Sequence, residues 1–114
     1  MDANEYQKEC ERTMNGIENE KERILCWGLG VAGEAGDIAG CIKKTYVHNN
    51  DQTKGIRENI GDTLWYIAAI CKFHGWNIGD IMKENIQKLN LRYPKGFNFN
   101  DAKRERIDWN ENDN

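Results

Sequence analysis

LGVAGEAGDIAGCIKK, residues 29–44, decides what kind of fold this chain adopts. Within it and just before it, Ile24, Leu25, Val31, Ala32, Ala35, Ile38, Ala39 and Ile42 recur at three- and four-residue spacings. That is the period of an α-helix and not of a strand, and it predicts a helix from about Glu22 to Tyr46. Glycines oppose the prediction: Gly28, Gly30, Gly33, Gly36 and Gly40 all fall inside, each costing roughly 1 kcal/mol relative to alanine in a helix interior. Two readings stay open. Either a neighbouring helix or a ligand approaches the bare face of Gly33, Gly36 and Gly40, or the helix breaks near Gly28–Gly30 into two shorter ones.

The rest of the chain extends the helical pattern. A first helix is expected from about Asn4 to Met14. The segment VHNNDQTKG reads as a loop, and a third helix runs from Thr53 to about His74, with Ile56, Ile60, Leu64, Ile67, Ala68 and Cys71 on its inner face. HGWN closes it. A fourth, from about Ile78 to Arg92, repeats Ile81, Met82, Ile86 and Leu89 and stops before the Tyr93–Pro94 step, because the residue before proline avoids the helical region. Pro94 is the one proline in 114 residues, and strict polar/apolar alternation is hard to find. The expectation is an all-α fold in a single domain, residues 1–114, with a polar tail from Asn98 partly ordered through Ile107 and Trp109.

Composition narrows the function. With 39% hydrophobic and 31% charged residues the chain suits a globular protein, and a net charge of -3 argues against a nucleic-acid partner. Apolar runs such as YIAAIC (66–71) are far too short to span a membrane, and the charged N-terminus does not resemble a signal peptide, so the expected location is the cytoplasm. Cys10, Cys26, Cys41 and Cys71 show no C-x-x-C pairing; buried, reduced thiols are expected rather than disulfides or a zinc site.

GEAGD (33–37) and ENIGD (58–62) carry the chemistry. On helices, Glu34 and Asp37 are i,i+3 neighbours, Glu58 and Asp62 are i,i+4 neighbours, and Asn59 and Asp62 are i,i+3 neighbours. If the second and third helices pack antiparallel, the acids face one another across the bundle. Close carboxylates resist joint ionisation, and magnesium or manganese would relieve that conflict. Spaced carboxylates on a helix are usually only a solvated face. Here, however, Asp37 precedes Ile38 and Ala39, and Asp62 sits among Ile60, Leu64 and Trp65.

LGVAGEAGDIAGCIKK (29–44), ENIGDTLWYIAAI (58–70) and ENIQKLNLRYPKGF (84–97), in this order and spacing, resemble the MazG-type all-α nucleoside triphosphate pyrophosphohydrolases over about residues 24–104. The resemblance implies a four-helix-bundle-like unit that forms homodimers or homotetramers. It also implies magnesium held by acids on two facing helices, and cleavage of a nucleoside triphosphate to the monophosphate and pyrophosphate. The metal ligands carried over are Glu34, Asp37 and Asp62. This chain departs from the pattern twice: Asp37 stands where the family usually has Glu, and Asn59 stands where it has an acid. Glu58, one residue earlier and about 100° round the helix, is the nearest replacement ligand.

Glu34 and Glu58 are the candidates for the base that takes a proton from the attacking water. Lys44, Asn85, Lys88 and Arg92 match family positions and are candidate substrate contacts; solvation, capping and packing are their alternative roles. Trp27, Trp65 and Tyr66 are expected to pack rather than stack on a base. His48 and His74 are expected to be structural. The alternative function is a nucleotide-binding or helical assembly module with weak or no turnover, for which Asn59 is the strongest sign.

Overall fold

The computed structural model describes residues 1–103, and these are helical almost throughout: α1 (Ala3–Cys10), a 3₁₀ turn (Glu11–Thr13), α2 (Glu20–Tyr46), α3 (Thr53–His74), α4 (Ile78–Arg92) and α5 (Phe99–Lys103). No strand occurs among the described residues; Pro94 and Gly96 form an isolated bridge. None of the described helices is long and apolar enough to cross a membrane.

Local chemistry sets the ends. Asp2 accepts a hydrogen bond from the Glu5 backbone N–H at 2.9 Å, and Asn19 accepts one from Glu22 at 2.9 Å, so α1 and α2 each begin on a side-chain cap. Glu20 and Glu22 in the first turn of α2, and Lys43 and Lys44 in its last, complement the helix dipole. Thr45 closes the following loop by donating to the Cys41 carbonyl and accepting from the Gln52 N–H, both at 2.8 Å. Asp51 receives the Thr53 N–H and hydroxyl at 3.0 and 2.8 Å, which satisfies the first amide of α3 and lowers the Asp51 pKa. Gly75, at φ 73°, ends α3 in a left-handed conformation, while the Trp76 N–H reaches back to the Cys71 carbonyl at 2.9 Å.

The glycine-rich segment is one unbroken helix of 27 residues, so the break considered near Gly28–Gly30 does not occur. No other helix among the described residues approaches the Gly33, Gly36, Gly40 face: a Cβ at any of the three would meet nothing of this chain within 4 Å. Close approach happens elsewhere. A Cβ on Gly30 would collide with the Tyr66 ring, and one on Gly55 would lie 2.9 Å from Cys41 Sγ. Gly30→Ala is therefore expected to cost about 1–3 kcal/mol through overpacking. Gly36→Ala, in open space, should be neutral or stabilising by up to about 1 kcal/mol. Equilibrium urea unfolding of the two variants checks the contrast.

Residues Met1–Asn77 form one compact unit, and a second begins at Ile78. In the first unit Trp27 meets Trp65 edge-on at 6.2 Å, Gly30 meets Tyr66, and Cys41 meets Gly55 and Asn59. Rising positions on α2 pair with falling positions on α3, so the two helices are antiparallel. Trp27, Ala68, Ala69, Cys71 and Cys10 form the buried core with Gln7. It is smaller than the apolar stripe predicts. Ile24, Val31 and Ile38 are half-buried, whereas Leu25, Ala32, Ala35, Ala39 and Ile42 on α2, and Ile60 and Leu64 on α3, are exposed. On α4 Leu89 is half-buried, while Ile81, Met82 and Ile86 are exposed.

All four cysteines are free, as expected; Cys10 and Cys71 are buried and Cys41 is half-buried, but Cys26 is exposed. Helix α5 lies at the start of the polar tail expected from Asn98. Ile107 and Trp109 lie outside the described residues.

Candidate metal and phosphate site

The pairing of Gly30 with Tyr66 and of Cys41 with Asn59 brackets Glu34 on α2 and sets it level with Asp62 on α3. The electrostatics agree with this register. Glu34 has a raised pKa, first because of desolvation and then because of the Asp62, Asp37 and Glu58 carboxylates, in that order. Three of the four acids singled out in the sequence therefore act on the fourth, Glu34.

Glu34 is half-buried, and Asp37, Glu58 and Asp62 are exposed. Among the described residues no ion pair involves any of the four; the salt bridge of Lys72 with Glu11, at 2.6 Å, lies elsewhere. The site thus holds excess negative charge on hard oxygen donors, which in charge and donor chemistry suits magnesium or manganese. Among the described residues no three His, Cys, Asp or Glu side chains are gathered closely enough to enclose an ion.

Asn59 does not join the acids. It is half-buried, and its side-chain amide donates to Cys41 Sγ at 3.7 Å across the α2–α3 contact. Glu58, by contrast, is one of the charges that act on Glu34. Lys44 lies exposed on the stripe that runs Asp37, Cys41, Lys44 along α2, about 10 Å from Asp37 along the axis. Asn85, Lys88 and Arg92 form an i, i+3, i+7 stripe on α4, within the second compact unit; Asn85 is exposed, Lys88 and Arg92 half-buried. His48 and His74 are exposed, and His74 stacks on Trp76 at 4.4 Å.

Two features escaped the sequence reading. Tyr6, on α1, reaches α3 and donates to the Gly61 carbonyl at 3.4 Å, next to Asp62. Arg23 lines a cleft of about 360 Å³ with Met14, Trp27, Lys72 and Phe73, and its Nε is buried without a hydrogen-bond partner. Neither has a local sequence signal, since both depend on which helix packs where.

A family model, the MazG nucleotide pyrophosphohydrolase domain, matches residues 24–97, which include the whole acid site. The Gene 37 protein of Mycobacterium phage L5 is 27% identical over 73 residues, covering 60% of this chain and 64% of that protein. The chain thus aligns with less than two thirds of that relative's length. No solved structure matches. With the family match extending over most of the chain and containing both acidic helices, the protein belongs to the MazG nucleotide pyrophosphohydrolase domain family.

Proposed function

We propose that this protein is a magnesium-dependent nucleotide pyrophosphohydrolase that converts a nucleoside triphosphate to the monophosphate and pyrophosphate in the cytoplasm. The observation that carries the reading is the register that sets Glu34 on α2 level with Asp62 on α3 inside the family-matched segment, with the Asp62, Asp37 and Glu58 carboxylates raising the Glu34 pKa. Magnesium, with manganese as the alternative, would neutralise the triphosphate and make a bound water more acidic. Glu34, Asp37, Glu58 and Asp62 would hold it.

Glu34 and Glu58 are the candidate proton acceptors for the attacking water. Desolvation and like charge raise the Glu34 pKa, the direction that makes a carboxylate a better proton acceptor. Lys44, Asn85, Lys88 and Arg92 would contact phosphates or nucleoside. Trp27 and Arg23 line their cleft seven and eleven residues before Glu34 on the same helix, a distance of about 10–17 Å along the axis that a nucleotide can span.

The apolar residues left exposed on α2 and α3, among them Leu29 at 73% and Tyr46 at 71%, support a homodimer or homotetramer that covers them. The second reading, a nucleotide-binding or assembly module with weak turnover, is favoured by one observation: Asn59 is turned toward Cys41 and supplies no charge.

The charge conflict gives a test with a definite sign. Glu34 has a folded-state pKa above its ordinary value of 4.5. Its favourable contribution to stability is complete below that value and is lost as pH rises through the folded pKa. Millimolar magnesium with a non-hydrolysable triphosphate should therefore raise the melting temperature more at about pH 8 than at about pH 5. Saturation at about 100 times Kd corresponds to roughly 2.7 kcal/mol of stabilisation. No shift at either pH for the folded protein counts against the site.

A further inference from the structure

Residues 1–23 precede the segment that matches the family, yet they brace the helix that carries Asp62. The Gln7 side-chain amide donates to the Trp76 carbonyl at 2.8 Å, Glu11 pairs with Lys72 at 2.6 Å, and the Trp65 indole N–H donates to the Thr13 hydroxyl at 2.8 Å. These three bonds hold positions from Trp65 onward. Tyr6 lands on the other side of Asp62's turn, where its hydroxyl donates to the Gly61 carbonyl at 3.4 Å.

That carbonyl already sits in the α3 ladder, so Tyr6 uses its second lone pair and ties α1 to the backbone unit that joins Gly61 to Asp62. The neighbourhood keeps the phenol protonated. Burial first, then the Cys10 thiol and the Asp62 carboxylate, push its pKa up to about 12. At neutral pH Tyr6 is thus a donor and not a base.

We propose that Tyr6 is a positioning residue of the acid site: by anchoring the Gly61 carbonyl from α1, it fixes the turn of α3 that presents Asp62 to Glu34. The proposal rests on the reading of the four acids as a magnesium site. It adds to that site a residue from outside the family-matched segment, one that touches neither phosphate nor metal. A ligand-bearing turn held to better than about 0.5 Å binds an ion more tightly than one free to shift, and loss of a supporting hydrogen bond around metal ligands typically weakens binding about 10–100-fold.

The test is isothermal titration of the full chain with magnesium, without nucleotide, for the starting protein, Tyr6→Phe and Thr13→Val. Tyr6→Phe removes only the hydroxyl. Thr13→Val removes a bond from the same N-terminal segment to α3 at the Trp65 indole, one helical turn beyond Asp62 and not at the Gly61–Asp62 peptide unit. Melting temperature and circular dichroism are read alongside. The expected result is a rise in magnesium Kd of about tenfold for Tyr6→Phe with helicity unchanged, and no change in Kd for Thr13→Val even where its melting temperature falls. Equal affinity in Tyr6→Phe and the starting protein overturns the positioning role while leaving the acid site intact. Equal loss of affinity in both variants overturns it too, because the segment then acts only through general stability. Absence of magnesium binding by the starting protein sinks the site reading and this proposal together.

Discussion

Asp62→Asn is expected to lower kcat/KM for the nucleoside triphosphate by about 100-fold or more while leaving the protein as stable as before, or slightly more so. Asp62 is the like charge with the largest effect on Glu34, ahead of Asp37 and Glu58. Asparagine removes that repulsion and, with it, a unit of negative charge from the proposed metal site, so Glu34 should titrate closer to an ordinary glutamate. Catalysis and stability thus move in opposite directions, which a substitution that merely damages the fold would not do. Steady-state kinetics together with thermal unfolding check this. Activity near that of the starting protein would remove Asp62 from the site.

The second large effect separates Glu58 from Asn59. The Asn59 amide is engaged with Cys41 Sγ between α2 and α3, whereas Glu58 is exposed and acts on Glu34. Glu58→Gln should therefore abolish most turnover, by about 100-fold. Asn59→Glu should give no gain, since a carboxylate at that half-buried position exchanges an amide–thiol hydrogen bond for a desolvated charge beside other acids. Turnover measured against magnesium concentration for both variants distinguishes the ligand sets. If Asn59→Glu gains activity and Glu58→Gln is silent, position 59 completes the site and Glu58 does not.

Helix ends were legible where a residue enforces them chemically. Gly75 closes α3, and α4 ends at Arg92, ahead of Pro94. The short α5 also had a sequence signal, Asn98 three residues before Asp101: the Asp101 N–H donates to Asn98 Oδ1 at 2.7 Å, a side-chain cap. The 3₁₀ turn after α1 had no comparable signal. There the Thr13 hydroxyl donates to the Cys10 carbonyl at 3.2 Å and also receives the Trp65 indole, a partner fifty-two residues away.

Burial was the weaker inference. Periodicity shows which residues share a face but not whether a single chain covers it, and Leu25, Ile42, Ile60 and Leu64 remain open in one copy. At the acid site the spacing put Glu34 with Asp37 on one helix and Glu58 with Asp62 on the next, and it is the register of the two helices that sets Glu34 level with Asp62. The direction of Asn59 required the register of α2 against α3, and the reach of Tyr6 required the placement of α1. Long-range packing, absent from any local pattern, decided both.

The most direct measurement of the central claim is product analysis by ³¹P NMR after incubation with a panel of nucleoside triphosphates and magnesium. The proposed activity yields stoichiometric nucleoside monophosphate and pyrophosphate from at least one of them, and is lost in Asp62→Asn. Release of orthophosphate and nucleoside diphosphate, or no cleavage of any triphosphate by protein that binds magnesium, would contradict it.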